Sequence, residues 1–430
     1  MLFKNIGIID ENFKYQPDMT VGVQADRITY IGKTAPENVE AFGEIYNGKN
    51  KVLIPGFYNA HGHSPMSLMR GYGENMTLHD WLNKKIFPFE SKLYSKAVYW
   101  GTLLSMAESL RFGIISTSDM YYFTGDMVEA YSAAGAKTNI CRSVANPEGL
   151  EISELVGLKE MREAITMYDG IENGRIKVDA SIHAEYTTDE KTMRAVAEAA
   201  GEFNVNIQVH LDETKFEADN CREKYGMSTT EVFEKFGVFN QPCTAAHCVW
   251  VSESDMDILK AKGVTVASNP TSNFKLASGI CDVPKMYEKG VNVALGTDSV
   301  ASNNSLNFIE QIKLFAIAGK VKAMDPAVMT PEQVLYSATR AGALSQGRED
   351  CGLLKENFKA DLIVIDAGTP NMQPVHDMAN NIIYSADGKD VCLTMVDGRI
   401  CYQDGEYKTI DIEETIAEAE KARAKIVSGL

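Results

Sequence analysis

Between Pro55 and Arg340 short apolar runs alternate with longer helix-like stretches, and this alternation limits the fold more than any other feature of the 430-residue chain. The runs fall at residues 52–59, 113–118, 138–141, 176–182, 205–209, 244–246, 264–268 and 291–296, with helical patterns such as 191–202 and 253–262 between them. Strands separated by helices are the mark of parallel β/α units. Eight such units close into an α/β fold of the (β/α)₈ TIM-barrel type, whose chemistry sits at the C-terminal strand ends.

Several of these ends carry a potential metal ligand. His61 and His63 close the first run, and residues two apart on a strand point to the same side, so both imidazoles can reach one ion. His210 closes the fifth run, His247 the sixth, and Asp298 follows the eighth. Of only seven histidines, four stand at such ends, so scattering is a poor explanation. Imidazoles with one carboxylate and a position left open describe a catalytic zinc site better than a structural one. Glu213, three residues past His210, is placed to act as a proton shuttle between water and a ring nitrogen. Asp298 is expected to bind the metal through one oxygen and to accept the nucleophile's proton through the other. The fourth run ends in Ser181-Ile182-His183 without a lysine that could bridge two metals, so one ion is expected.

The flanks differ. Runs at 6–9, 20–24, 28–31, 362–365, 391–396 and 399–402 suggest antiparallel strands, with Asp397-Gly398 as a hairpin turn. The expected organisation is a small β-sandwich domain from both chain ends (1–54 and 350–430, ending in a helix over 410–427) around a barrel of 55–349.

A net charge of −17 and a pI near 5.0 argue against binding a phosphate backbone. Acidic or basic residues interrupt every hydrophobic segment, so no membrane span is expected. The chain starts without a secretory pattern. Its eight cysteines lack any C-x-x-C pair, which suits reduced thiols and a cytoplasmic protein. His183-Ala184-Glu185 and Pro242-Cys243 imitate a cytidine-deaminase zinc signature, but Cys248 lies five residues after Cys243 instead of three. His79 and His376 read as surface histidines, and Met66 and Met69 as core.

Pro55-Gly56-Phe57-Tyr58-Asn59-Ala60-His61-Gly62-His63, His210 with Glu213, His247 and Gly296-Thr297-Asp298 together resemble the amidohydrolase superfamily over essentially the whole chain. Met69-Arg70-Gly71-Tyr72, Asp80-Trp81-Leu82, Phe87-Pro88-Phe89-Glu90 and 302–306 are similar to its methylthioadenosine/S-adenosylhomocysteine deaminase group. The resemblance implies one zinc ion on His61, His63, His210 and Asp298, with Glu213, His247 and Asp298 catalytic. It implies Trp81 near the base, Glu90 on ribose hydroxyls, His183 holding the nucleoside, Ser302 at the ribose end and Arg142 toward an amino-acid carboxylate. A second arginine expected after Arg142 is missing, since residues 143–158 contain none. Glu185 also replaces a usual Pro, and Gly62 a common Thr.

The expected activity is a zinc-dependent hydrolytic deamination of adenosine-type nucleosides: 5′-methylthioadenosine, 5′-deoxyadenosine or S-adenosylhomocysteine. The alternatives are a deaminase or halide hydrolase acting on another aminated heterocycle of guanine, pterin or triazine type, and a non-catalytic ligand-binding barrel. The expected partner is a small-molecule substrate, with no nucleic acid and no membrane, in a homo-oligomer of two or four chains.

Overall fold

The computed structural model describes residues 1–430. Eight parallel strands lie side by side in sequence order: Phe57–Gly62, Ile114–Tyr121, Lys137–Arg142, Ile176–Ile182, Ile207–Leu211, Cys243–His247, Thr265–Ser268 and Asn292–Leu295. The last strand returns to the first. Gly62 bridges Asp298 in parallel, Asp298 N–H donates to the His61 carbonyl at 3.0 Å, and the Asn59 amide exchanges hydrogen bonds of 2.8 and 2.9 Å with Thr297. These links draw the sheet into a nearly closed barrel.

Alternation along the strands sorts side chains between barrel interior and helix layer. In Ile176–Ile182, Val178, Ala180 and Ile182 join the core beneath the helices, while Asp179 accepts bonds from Asn139 and Gln208 on the neighbouring strands. The interior floor is thus a hydrogen-bonded polar layer, with only Gln208 Oε1 of these three side chains left without a partner, and it favours one register because a slip would break these bonds. The covering helices follow their own periodicity. Helix Glu190–Phe203 buries Met193, Val196, Ala199 and Ala200 along one stripe, starts at Asp189, whose side chain accepts from Thr192 N–H, and stops at Asn204 in the left-handed region.

Both chain ends build one nine-stranded mixed sheet, in which Lys51–Pro55 pairs parallel to Leu2–Ile9 on one side and antiparallel to Leu362–Asp366 on the other. Phe3, Ile6, Val21, Leu53, Leu362 and Leu393 share its inner face. The expected hairpin turn is present: Asp397 and Gly398 take φ values of 46° and 76°, the paired positive angles that a tight two-residue turn requires. Helix Ile412–Val427 packs along Ser95–Arg111 through Thr415, Ala419, Ala422 and Ile426.

One expected strand is corrected. The run 52–59 is two strands, Lys51–Pro55 in the end sheet and Phe57–Gly62 in the barrel, separated at Gly56. There the chain crosses so near the second barrel strand that an added Cβ would lie 2.7 Å from Ile115. Both strands are buried on both faces, so the apolar pattern runs through the turn without a break.

No helix is long and apolar enough to cross a membrane. All eight cysteines are free, seven of them buried.

Candidate active site

The strand ends bring the expected ligands together. Donor atoms of His61, His63 and Asp298 lie within 4.8 Å of one another, as do those of His61, His210 and His247. His63 and His61 place Nε2 at 3.3 and 3.7 Å from Asp298 Oδ1. Backbone strain concentrates here, since His247 and Asp298 hold φ values of 73° and 59°, which non-glycine residues adopt only when their surroundings impose them.

The hydrogen bonds behind the rings fix which nitrogen faces the centre. His63 Nδ1 donates to the Met120 carbonyl at 2.6 Å, His210 Nδ1 to the His183 carbonyl at 2.7 Å, and His247 Nδ1 to Asn273 Oδ1 at 2.8 Å. Neutral rings so held present Nε2 as a lone pair. The Nε2 atoms of His63 and His210 then face each other at 3.4 Å with no proton for the bond between them, and the buried Nε2 of His61 has no hydrogen-bond partner. Converging lone pairs beside a carboxylate are costly unless a cation lies among them. The donor set therefore fits a divalent ion.

The charges of His61 and His210 agree with that picture, while His63 is drawn toward Asp298. Burial, then the neighbouring histidines, holds His61 and His210 well below the ordinary imidazole range. Burial also works against a charged His63, but the Asp298 carboxylate outweighs it and leaves His63 raised. Burial opposes ionisation of Asp298, yet the surrounding imidazoles hold it well below the carboxylate range.

Asp298 Oδ2 accepts from Ser272 Oγ at 2.5 Å and Ser302 Oγ at 3.1 Å, while Oδ1, which faces the imidazoles, accepts from Ser299 N–H at 2.8 Å, so the oxygen turned away from the cluster is already engaged by two hydroxyls. Glu213 stands on the other side, with Oε2 3.8 Å from His247 Nε2 and its carboxyl raised by burial.

A cavity of about 670 Å³, its open mouth included, lies over this cluster. Helical turns inserted after the first strand form one wall and contribute Trp81, Ile86 and Glu90. Burial pushes Glu90 up to about 7, against the opposing Tyr121 hydroxyl. His183 faces the same space, lowered to about 4 by burial and by His63, with Thr187 Oγ1 3.0 Å from its Nδ1. Two expected binding residues are not on this cavity. Ser302 is buried behind Asp298, and Arg142 lines a neighbouring chamber. His79 and His376 are exposed, whereas Met66 lines the cavity.

Sequence reasoning missed Ser272, Asn273 and Ser278, which support Asp298, His247 and Glu213 respectively. The available signal was the polar run of residues 268–273, directly after the seventh strand, where the other strand ends had already yielded ligands.

The amidohydrolase family model matches residues 52–401. A 5-methylthioadenosine/S-adenosylhomocysteine deaminase of Dictyoglomus thermophilum is 39% identical over 91% of this chain and 91% of its own length. A 5′-deoxyadenosine deaminase of Methanosarcina mazei is 37% identical over 95% and 94%. Among solved structures, an adenosine deaminase of Xanthomonas campestris with bound zinc superposes with a TM-score of 0.91 at 25% identity, covering 99% of this chain and 98% of that one.

Proposed function

We propose, because this chain belongs to the amidohydrolase family, that it is a hydrolytic deaminase of adenosine-type nucleosides, acting on 5′-methylthioadenosine, 5′-deoxyadenosine or S-adenosylhomocysteine and releasing ammonia. The observation that carries this reading is the placement of Glu213 beside the histidine–aspartate cluster, in one cavity whose wall holds Trp81 and Glu90. A base can lie toward Glu213 and a ribose toward Glu90.

His61, His63, His210 and Asp298 would hold one divalent ion, zinc in this reading. Once bound, it supplies the Lewis acidity that makes water nucleophilic near neutral pH. Glu213, through Oε2, would take a proton from the attacking water and deliver it to the ring nitrogen, so that the amine-bearing carbon becomes open to attack. His247, oriented by Asn273 at Nδ1, would turn Nε2 toward the oxygen on which charge develops and stabilise it there. Asp298, held at Oδ2 by Ser272 and Ser302 and at Oδ1 by Ser299 N–H, would pass a proton toward the departing ammonia. Glu90 accepts ribose hydroxyls, Trp81 packs on the base, and His183 closes the wall between them. Ser302 acts on Asp298 and not on substrate. Seven buried thiols among eight free cysteines support a cytoplasmic setting.

The test is ammonia release by the metal-loaded protein from adenosine, 5′-methylthioadenosine, 5′-deoxyadenosine and S-adenosylhomocysteine, with guanine and a pterin alongside. Turnover of the adenosines is expected. Turnover confined to guanine or the pterin would replace the nucleoside reading, and no turnover of any ring would favour a binding protein.

A further inference from the structure

The inner cavity does not end at Glu90. A second chamber, of about 1250 Å³ with its open mouth included, shares Phe87, Glu90 and Tyr122 with the first as a threshold. On the deaminase reading above, a nucleoside with its base at Glu213 and its ribose at Glu90 directs its 5′ substituent into this chamber. The chamber's lining then selects the tail.

Arg142 is the one cation in that lining, against the carboxylates of Asp126, Glu160 and Glu163. Its guanidinium is already occupied. Nε donates to Glu160 Oε2 at 2.6 Å, Nη1 donates to the Ser143 carbonyl, and Cζ lies 4.7 Å from the Tyr122 ring centroid. Glu160 reaches it from helix Val156–Tyr168, which passes closely enough that a Cβ on Gly157 would sit 3.6 Å from Nη2. Bidentate capture of a carboxylate needs two parallel N–H donors on one edge of the fork. Nε belongs to Glu160, and an arriving carboxylate would meet a neutralised pair flanked by two further acids.

We propose that Glu160 is a specificity-determining residue: by holding Arg142 it turns the outer chamber against 5′ tails that end in a carboxylate and toward tails that are neutral or carry only an amine. Arg142 serves in the resting chain as an anchor for the chamber wall and not as a carboxylate receptor. The missing second arginine in residues 143–158 acts in the same direction through a different residue.

Two substrates isolate the point. S-adenosylhomocysteine and 5′-deoxy-5′-(3-aminopropylthio)adenosine have tails of equal length and the same amine, and differ only in the carboxylate. With metal-loaded protein, kcat/KM is expected to favour the decarboxylated compound by about tenfold or more, the scale of an unrelieved like-charge contact. Glu160→Gln keeps the side chain's shape, removes its charge and should shrink that ratio by raising turnover of S-adenosylhomocysteine. Adding Arg142→Ala to this variant should undo the gain. Glu160 has 47% of its side chain exposed, so the fold tolerates the change, and Glu160→Ala repeats the test without a hydrogen-bonding group. The inference is overturned if the wild type prefers S-adenosylhomocysteine, or if neither Glu160 variant moves the ratio. Ammonia release from 5′-methylthioadenosine, followed in parallel, separates the failures. Its presence with an unmoved ratio sinks the specificity role alone, and its absence together with that from adenosine, 5′-deoxyadenosine and both tailed substrates sinks the deaminase reading with it.

Discussion

Glu213 is held from behind by its own chain: its backbone N–H and that of Asp212 donate to the Glu217 carboxylate at 2.9 and 3.2 Å, which aims the side chain at the cavity. Glu213→Gln preserves that loop and the side chain's volume while removing the proton-carrying group. We expect kcat to fall by about 10²–10⁴, the range for general acid–base catalysis, with bound metal unchanged. Elemental analysis beside steady-state kinetics checks both halves, and near-normal kcat would take Glu213 out of the mechanism. Glu90 makes a different prediction, because it lies on the cavity wall built by the inserted helical turns and not among the proposed ligands. Glu90→Ala should raise KM for nucleosides much more than it lowers kcat, and a free base, which has no hydroxyls to offer, should be nearly indifferent. An equal KM change for adenosine and adenine would remove Glu90 from ribose recognition.

At the scale of elements, the barrel floor and the end sheet meet at a buried charge cluster. Lys137 opens the third barrel strand and pairs with Asp361, which precedes strand Leu362–Asp366, and with Asp397 at 2.7 Å in the hairpin turn; Lys137 and Asp361 are 2% and 1% exposed. Tyr58 OH donates to Asp361 at 2.6 Å. Removing one partner of a buried pair leaves a charge unanswered, so Lys137→Met should cost about 3–5 kcal/mol by denaturant unfolding. The pH dependence follows from the same contact. Burial raises the Asp361 carboxyl, but Lys137 prevails and leaves it below its ordinary value of 3.8. A depressed carboxyl contributes stability that is present above the unfolded value and lost as pH falls through the folded one. The wild type should therefore lose stability below about pH 4 more steeply than Asp361→Asn, measured as urea midpoints from pH 3 to 7. Parallel curves would dissociate this pair from acid sensitivity. Much of the element plan was legible in the sequence because strands buried on one or both faces keep an apolar signature, and because His61, His63, His210, His247 and Asp298 stand where those signatures stop. Other features depend on three-dimensional paths that no periodicity records. Gly56 divides a run whose two halves are equally apolar, Ser302 lies four residues from Asp298 yet turns behind it, and Glu160 meets Arg142 across 18 residues of loop and helix.

The whole molecule is tied together at its opposite end by the cluster of proposed ligands. His61 comes from the first strand and His63 from just after it, His210 from the fifth, and Asp298 from just after the eighth, so one ion on these residues would cross-link the two ends of the sheet and its middle. The unfolded chain holds the same side chains far apart, and binding confined to the folded state stabilises it by mass action. At a free-metal level a thousandfold above the dissociation constant this amounts to about 4 kcal/mol. For a chain of this length each kcal/mol moves Tm by roughly 2 °C, so chelation should lower the transition by several degrees. His61→Ala removes the nitrogen shared by both ligand groups and should behave as the metal-free protein from the start, with little bound metal and a Tm that chelator no longer shifts. Differential scanning calorimetry of wild type and variant, with and without chelator and with metal content measured on the same samples, gives the comparison. A wild-type Tm indifferent to complete metal removal would show that the barrel closes through Asn59, Thr297 and the Gly62–Asp298 bridge alone, and full metal occupancy in His61→Ala would exclude the proposed ligand set.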